Sequence, residues 1–205
     1  MAENYIFDFG NVITRFYPDE LTSPYIEDKV TRKNISDIVF DRLYWDKLDE
    51  ASITDEEIKE DICVRVPENM RDIACRIYDD WVKNLTPVEG MERLVSDIHK
   101  SGKKLFLLSN ISLKFAEEYE SVKWIREVFE KFDGIVLSAP VGRVKPNRDI
   151  FEYVLETYGL NPKECLFIDD SAKNIEGAQK VGIKGYLFDG DADKLRRYIL
   201  QEDKE

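Results

Sequence analysis

Apolar residues arrive in short runs that stop at a carboxylate, a hydroxyl or a turn-former. Tyr5-Ile6-Phe7 stops at Asp8, Leu105 to Leu108 at Ser109, and Leu166-Phe167-Ile168 at Asp169. Short apolar runs bounded in this way are the pattern of strands buried on both faces, as in a parallel sheet. A fourth run, Ile135-Val136-Leu137, is followed at loop distance by Lys145. Between the runs lie stretches with helical spacing, among them Glu89 to His99, closed by Ser101-Gly102, and a last helix near Ala192 to Leu200. Strands alternating with helices predict an α/β fold with a parallel sheet and right-handed crossovers.

The alternation is interrupted early. The first strand feeds a turn at Gly10-Asn11 and the apolar pair Val12-Ile13. From about Tyr17 to Leu85 the pattern is then acidic and helix-periodic, with Ile35, Ile38, Val39 and Leu43 in one repeat and Ile58, Ile62 and Val66 in another. Thr54 before Asp55-Glu56-Glu57 predicts a helix start, because its hydroxyl can cap and the helix dipole favours carboxylates in the first turn. The chain is therefore expected to divide into a Rossmann-like core, residues 1–16 and 86–205, and an inserted all-helical cap, residues 17–85.

Composition narrows the function. At 205 residues, with 43% hydrophobic and 35% charged side chains, the chain can bury a substantial core. A net charge of -12 without a dense basic run opposes attraction to nucleic acid or an anionic membrane. No apolar stretch approaches the roughly 20 residues that span a bilayer, and Met1-Ala2-Glu3-Asn4 does not resemble a secretion signal, so a cytoplasmic location is expected. Cys63, Cys75 and Cys165 have no metal-type spacing and are read as reduced thiols. His99, the single histidine, sits near a helix end where a cation suits the dipole, and is assigned to the surface.

Ligands of parallel sheets collect beyond the carboxyl ends of the strands, where the polar stops fall. Asp8, with Gly10-Asn11 behind it, suits a nucleophile or a metal ligand, and equally a turn-forming aspartate. The adjacent carboxylates of Asp169 and Asp170 are costly to gather near Asp8 without a cation, and Mg²⁺ is the ion that commonly serves phosphate chemistry; a solvated helix cap before Ser171 is the other reading. Ser109 and Asn110 offer a hydroxyl, an amide and free backbone N–H groups at the start of the next helix, either for phosphate oxygens or as an ordinary N-cap. Lys145, in Gly142-Arg143-Val144-Lys145-Pro146, is a counter-charge or a solvated surface group. Together the four clusters supply what phosphoryl transfer to a nucleophile demands. Asp8-Phe9-Gly10 also spells a protein-kinase magnesium motif, but neither a glycine-rich loop nor His-Arg-Asp precedes it.

In order and spacing, Ile6 to Ile13, Leu107-Leu108-Ser109-Asn110, Val144-Lys145-Pro146, and Phe167 to Ser171 leading to Asn174, Gly177 and Ala178 resemble the haloacid dehalogenase-like (HAD) superfamily of phosphohydrolases, over nearly the whole chain. The helical insert resembles the cap of the subgroup whose lid lies between the first and second motifs. The Gly10-Asn11 form of the first motif is similar to bacterial sugar-phosphate phosphatases acting on glucose 1-phosphate and to relatives of the epoxide hydrolase N-terminal domain. The resemblance implies that Asp8 attacks phosphorus to give an aspartyl-phosphate, with Mg²⁺ held by Asp8, the Gly10 carbonyl and Asp170. It implies that Asp169 and Asn174 position metal-bound waters, that Ser109 and the Asn110 backbone bind the phosphoryl group, and that Lys145 steadies both that group and Asp8.

Gly10 departs from the family pattern, in which a second aspartate at this position acts as general acid and base. Such catalysis is worth about 10²–10⁴-fold, so a cap residue, a substrate hydroxyl or a water must substitute, or the leaving group must need little help. The expectation is a Mg²⁺-dependent phosphatase of a small phosphorylated metabolite, with a sugar phosphate foremost, acting as a monomer or homodimer and without nucleic acid or membrane. A catalytically idle binding module and a haloacid dehalogenase are the alternatives. In the cap, Tyr44-Trp45 with Asp46 and Lys47 either faces a sugar ring or anchors the cap's own small core, while Trp81 and Trp124 are packing residues.

Overall fold

The computed structural model of the chain describes residues 2–202. In chain order, β1 (Asn4–Phe7) and the short β2 (Thr14–Arg15) precede five helices, α1 (Pro18–Thr22), α2 (Lys29–Val39), α3 (Arg42–Asp49), α4 (Asp55–Arg65) and α5 (Arg71–Asp80). After β3 (Thr86–Pro87) come α6 (Met91–Lys100), β4 (Lys104–Ser109), α7 (Leu113–Glu118), α8 (Lys123–Phe129), β5 (Gly134–Leu137) and α9 (Ser138–Val141). The chain continues through α10 (Arg148–Tyr158), β6 (Cys165–Asp169), α11 (Ala172–Gln179), β7 (Lys184–Leu187) and α12 (Ala192–Glu202).

Five strands form one parallel sheet in the order β5-β4-β1-β6-β7. The chain builds outward from β1 to one edge and then crosses to its other side, the doubly wound arrangement whose ligands bind at the reversal point. Both faces are covered, as continuous apolar strands require. Ile6, Phe106, Leu108 and Phe167 alternate onto one face against Ile150, Phe151 and Val154 of α10 and Ile175 and Ala178 of α11. Tyr5, Phe7, Leu105, Leu107, Leu166 and Ile168 alternate onto the other, against apolar residues of α6, α8 and α12.

The five early helices share the second of these cores and have none of their own. Phe9 packs on Phe115 at 4.8 Å between ring centroids, Phe115 on Trp81, Trp81 on Phe16, and Phe16 on Trp45 at 5.1 Å. This aromatic column runs from the loop after β1 into the helices. β2 and β3 pair antiparallel, so the segment leaves and rejoins the sheet at one point. Trp45 is buried and donates its Nε1–H to the Val39 carbonyl, the packing role considered above, although its ring also borders the cleft described below. Trp81 is buried, and half-buried Trp124 donates to the Leu85 carbonyl. His99 is exposed in the last turn of α6, as expected. Among the described residues no helix is long and apolar enough to cross a membrane.

Two local expectations fail. Leu43 does not continue the apolar face of Ile35 and Val39, but is 74% exposed. Helix α2 stops at Phe40, and Asp41 caps a new helix by accepting from the Leu43 N–H, so the periodicity restarts with a different phase. Nor does a helix start at Ser109-Asn110. Ser112 is the N-cap of α7, because the Ile111 N–H is taken by the Ser138 hydroxyl and the chain stays extended until it passes that anchor.

The predicted start at Thr54 is present as a full capping box, with Thr54 and Glu57 bonding each other's backbone N–H. Just upstream, α3 ends in a Schellman motif: Ser52 N–H donates to the Lys47 carbonyl and Ala51 N–H to the Leu48 carbonyl. This motif places Ala51 in the left-handed region at φ +53°, where glycine is the usual residue. Ala51→Gly should therefore stabilise the protein by about 0.5–1 kcal/mol, the relieved strain exceeding the entropy that glycine adds to the unfolded chain. Urea denaturation should show a raised midpoint with an unchanged slope.

Candidate active site

The register of the sheet brings the polar stops together. Phe7 lies opposite both Leu107 and Ile168, so Asp8 and Asp169 emerge side by side, with Ser109 one residue further along β4. Asp8 stays in line by donating its N–H to the Ile168 carbonyl at 2.9 Å. Beyond it, the N–H groups of Ile13 and Thr14 both reach back to the Phe9 carbonyl, making a tight turn with Asn11 at φ +54°. Above the strand ends opens a cleft of ≈ 530 Å³, floored by Asp8, Gly10, Ser109, Lys145 and Asp170 and walled by Phe16, Arg42, Trp45, Asp46, Asp49 and Trp81.

Lys145 is the centre of the floor. It is only 4% exposed, and its Nζ lies 2.8 Å from Asp8 Oδ1 and 2.8 Å from Asp169 Oδ2. The surface reading of this lysine is thereby excluded. Its main chain is held by the Asn110 side chain, whose Oδ1 accepts from Lys145 N at 2.8 Å and whose Nδ2 donates to the Lys145 carbonyl at 2.9 Å. From the other side, α11 approaches so closely at Gly177 that a Cβ there would lie 2.6 Å from the Pro146 carbonyl oxygen. The Asn110 amide is therefore spent on positioning Lys145, while Ser109, whose hydroxyl donates to the Asn110 carbonyl at 3.5 Å, lines the cleft beside it.

The three carboxylates occupy different environments. Asp169 is wholly buried and saturated, accepting from Lys145, from Ser171 N–H and from both approaches of Asn174 Nδ2. Asp8 accepts from Phe9 N–H and Lys145 on the same oxygen, Oδ1, so Oδ2 has no protein partner among the described residues. Asp170 is exposed toward the cleft. Ligand oxygens of Asp8, Asp169 and Asp170 lie within 4.8 Å of one another. Burial raises the Asp8 carboxyl to about 7 against the opposing pull of Lys145, with Asp169 and Asp170 adding repulsion. Burial and Asp169 also raise Asp170. Lys145 is lowered by burial, but Asp8 and Asp169 together outweigh this and raise it.

One ammonium thus faces three carboxylates, and the surplus negative charge calls for a further cation. The donor set fits a hard divalent ion: among the described residues Asp8 Oδ2 has no partner and Asp170 is held only by Asn11 and its own backbone N–H, whereas the oxygens of Asp169 are already engaged. Gly10, two residues after Asp8, lines the same cleft.

Three features of the site have little signal in the linear sequence. The Asn110 clasp joins two loops through a side chain that reads as a helix cap. Ser138, buried at the end of β5, ties Ile111 to the Asp49 carbonyl of α3, donating to the latter at 2.7 Å. Asp49 itself, at the C-terminus of α3, turns into the cleft, and burial raises its carboxyl to about 7. Nothing in the local pattern distinguishes it from Asp46.

A strand-end carboxylate held by a buried lysine, with an acidic pair and a serine beside it at the reversal point of a doubly wound sheet, defines a hydrolase site for a tetrahedral anion or its carbon analogue. The model of the haloacid dehalogenase-like hydrolase family matches residues 4–182, and the chain belongs to this family. It is 24% identical over 180 residues to a sesquiterpene phosphatase of Aspergillus oryzae, spanning 88% of this chain and 86% of the relative. It is 22% identical over 204 residues to the D-ribitol-5-phosphate phosphatase of Bacteroides thetaiotaomicron, spanning 94% and 95%. A HAD family enzyme of Bacteroides thetaiotaomicron, solved with magnesium and inorganic phosphate, has the same fold, with a TM-score of 0.68 at 24% identity over 95% of this chain and 99% of that one.

Removal of the central cation tests this electrostatic account. Lys145→Met leaves Asp8 and Asp169 buried without compensation and should cost about 3–5 kcal/mol at neutral pH in metal-free buffer. Exposed Lys123→Met should stay within about 0.5 kcal/mol. The Lys145 deficit should shrink as pH falls from 7 toward 5. A carboxyl raised in the native state takes up a proton there while the unfolded chain, titrating near 4, does not, so acid favours the variant's folded form. Urea titrations at several pH values measure both effects.

Proposed function

We propose that the protein is a Mg²⁺-dependent phosphoric monoester hydrolase acting on a small phosphorylated metabolite, with a sugar or polyol phosphate as the leading candidate, and that residues 17–85 are its cap. The observation that carries this reading is the partition of Asp8: Oδ1 is fixed by Lys145 and Phe9 N–H, while Oδ2 has no partner among the described residues and lies in the cleft that Asp170 and Ser109 also line. A carboxylate held at one oxygen is oriented as a nucleophile, and the lysine pulls against the burial that raises its carboxyl.

In this reading Asp8 forms the bond to phosphorus, and an aspartyl-phosphate results as the alcohol leaves. The Ser109 hydroxyl and the Asn110 N–H bind the non-bridging oxygens, and Lys145 balances charge shared between them and Asp8. Mg²⁺, held by Asp8, the Gly10 carbonyl and Asp170, would supply positive charge that lets a dianionic phosphoryl group approach a carboxylate. Asp169 and Asn174 stand behind this group, keeping Lys145 and the α11 end of the loop in place. The aromatic and polar walls, Trp45 with Arg42, Asp46 and Asp49, suit a hydroxylated leaving group, in keeping with the ribitol-phosphate activity of one relative.

A screen of phosphorylated metabolites by phosphate release tests the proposal. The expected outcome is turnover of at least one sugar or polyol phosphate with Mg²⁺, loss of turnover with EDTA, and rates at background for Asp8→Asn. Equal background rates for wild type and Asp8→Asn would identify a binding module, and metal-independent halide release from 2-haloacids would identify a dehalogenase.

A further inference from the structure

Gly10 has no side chain to donate a proton, and the space a Cβ would enter there is open, with no heavy atom within 4 Å. Three further carboxyls line the cleft, and the reaction above gives none of them a proton to move: Asp46 is paired with Arg42, Glu50 is exposed, and the third is Asp49. Asp49 is the last residue of α3, it lines the same cavity as Asp8 and Gly10, and among the described residues its carboxyl makes no hydrogen bond or ion pair. Its position is not adventitious. The Schellman turn at Ala51 fixes the chain just after it, and the buried Ser138 hydroxyl grips its carbonyl from the sheet side, so α3 is tied to the floor of the site at this residue.

Resting on the phosphatase reading, we infer that Asp49 is the acid and base of the reaction. Its carboxyl gives a proton to the ester oxygen as the Asp8–phosphorus bond forms and the phosphorus–oxygen bond to the alcohol breaks. The resulting carboxylate then takes a proton from the water that attacks phosphorus, releasing inorganic phosphate and free Asp8 and restoring the Asp49 acid.

The surroundings suit both halves of this cycle. A helix C-terminus disfavours a carboxylate and so favours the protonated donor. Burial acts the same way and is the main reason that Asp49 titrates at about 7. Arg42 and Lys145 pull that value down, while Asp46 and Asp8 push it up, and α9, packed against α3, carries no titratable side chain. A group balanced in this way exchanges protons readily near neutrality.

Rapid mixing of wild type and Asp49→Asn with Mg²⁺ tests the assignment, using an alkyl phosphate and 4-nitrophenyl phosphate, whose leaving group needs no proton. For the variant, single-turnover cleavage of the alkyl ester should fall about 10²–10⁴-fold. With the aryl ester the variant should keep a stoichiometric burst of nitrophenolate at nearly the wild-type rate and then stall, because the aspartyl-phosphate forms but its hydrolysis lacks a base. That burst also reports a folded, competent Asp8 site. Wild-type alkyl cleavage should decline as pH rises through about 7, since the protonated form is the donor, and the variant should lack this limb. Alkyl cleavage at the wild-type rate, or an aryl burst slowed as much as alkyl cleavage, would overturn the role of Asp49. Absence of phosphate release from wild type on every ester would instead overturn the phosphatase reading itself.

Discussion

An ammonium group enclosed by two carboxylates organises this protein. A buried charge without partners costs several kcal/mol, so Lys145 can lie beneath the cleft only if Asp8 and Asp169 meet it there, and they in turn can be buried only with it. The scaffold is consistent with that demand at every point. Strand register sets the two carboxylates side by side, the Asn110 amide clasps the lysine backbone, and the missing Cβ of Gly177 lets the loop settle onto α11. Because each oxygen of Asp169 is already engaged, what the triad presents to the cleft is one oriented, half-committed carboxylate.

The second constraint is the continuity of the core. The helices between β2 and β3 pack through Phe9, Phe115, Trp81, Phe16 and Trp45 onto the same face of the sheet as α6, α8 and α12. Edge-on and tilted aromatic contacts of this kind add to the area they bury, and they make the wall of the cleft an extension of the sheet's own packing. Ser138 completes the connection with a buried hydrogen bond to α3. The side chains that would meet a leaving group are thus fixed relative to those that would meet phosphate.

Local features of the fold were legible in sequence because local physics produces them. Apolar runs announced β1, β4, β5 and β6, and the Thr54 hydroxyl with its acidic turn announced α4. Where neighbouring elements compete, the pattern misled. Leu43 read as part of one apolar stripe, but Asp41 starts a new helix and turns it outward. Ser109-Asn110 read as a helix start, but a hydroxyl from β5's end holds the chain extended until Ser112. Asn110 and Asp49 were misjudged or unnoticed because their roles depend on partners far along the chain.

The sequence by itself determined which residues stand at strand ends, that the helical stretch interrupts the sheet early, and that acids, a serine and a lysine are available for one anion. Periodicity and capping involve residues only a few positions apart, and such preferences survive without knowledge of the rest. Tertiary structure alone decided that Lys145 is buried, which Asp8 oxygen is free, that Asn110 serves the lysine and that Asp49 faces the cleft. Those outcomes depend on strand order and on which loops meet at the reversal point, where desolvation makes charges choose partners that no local pattern names.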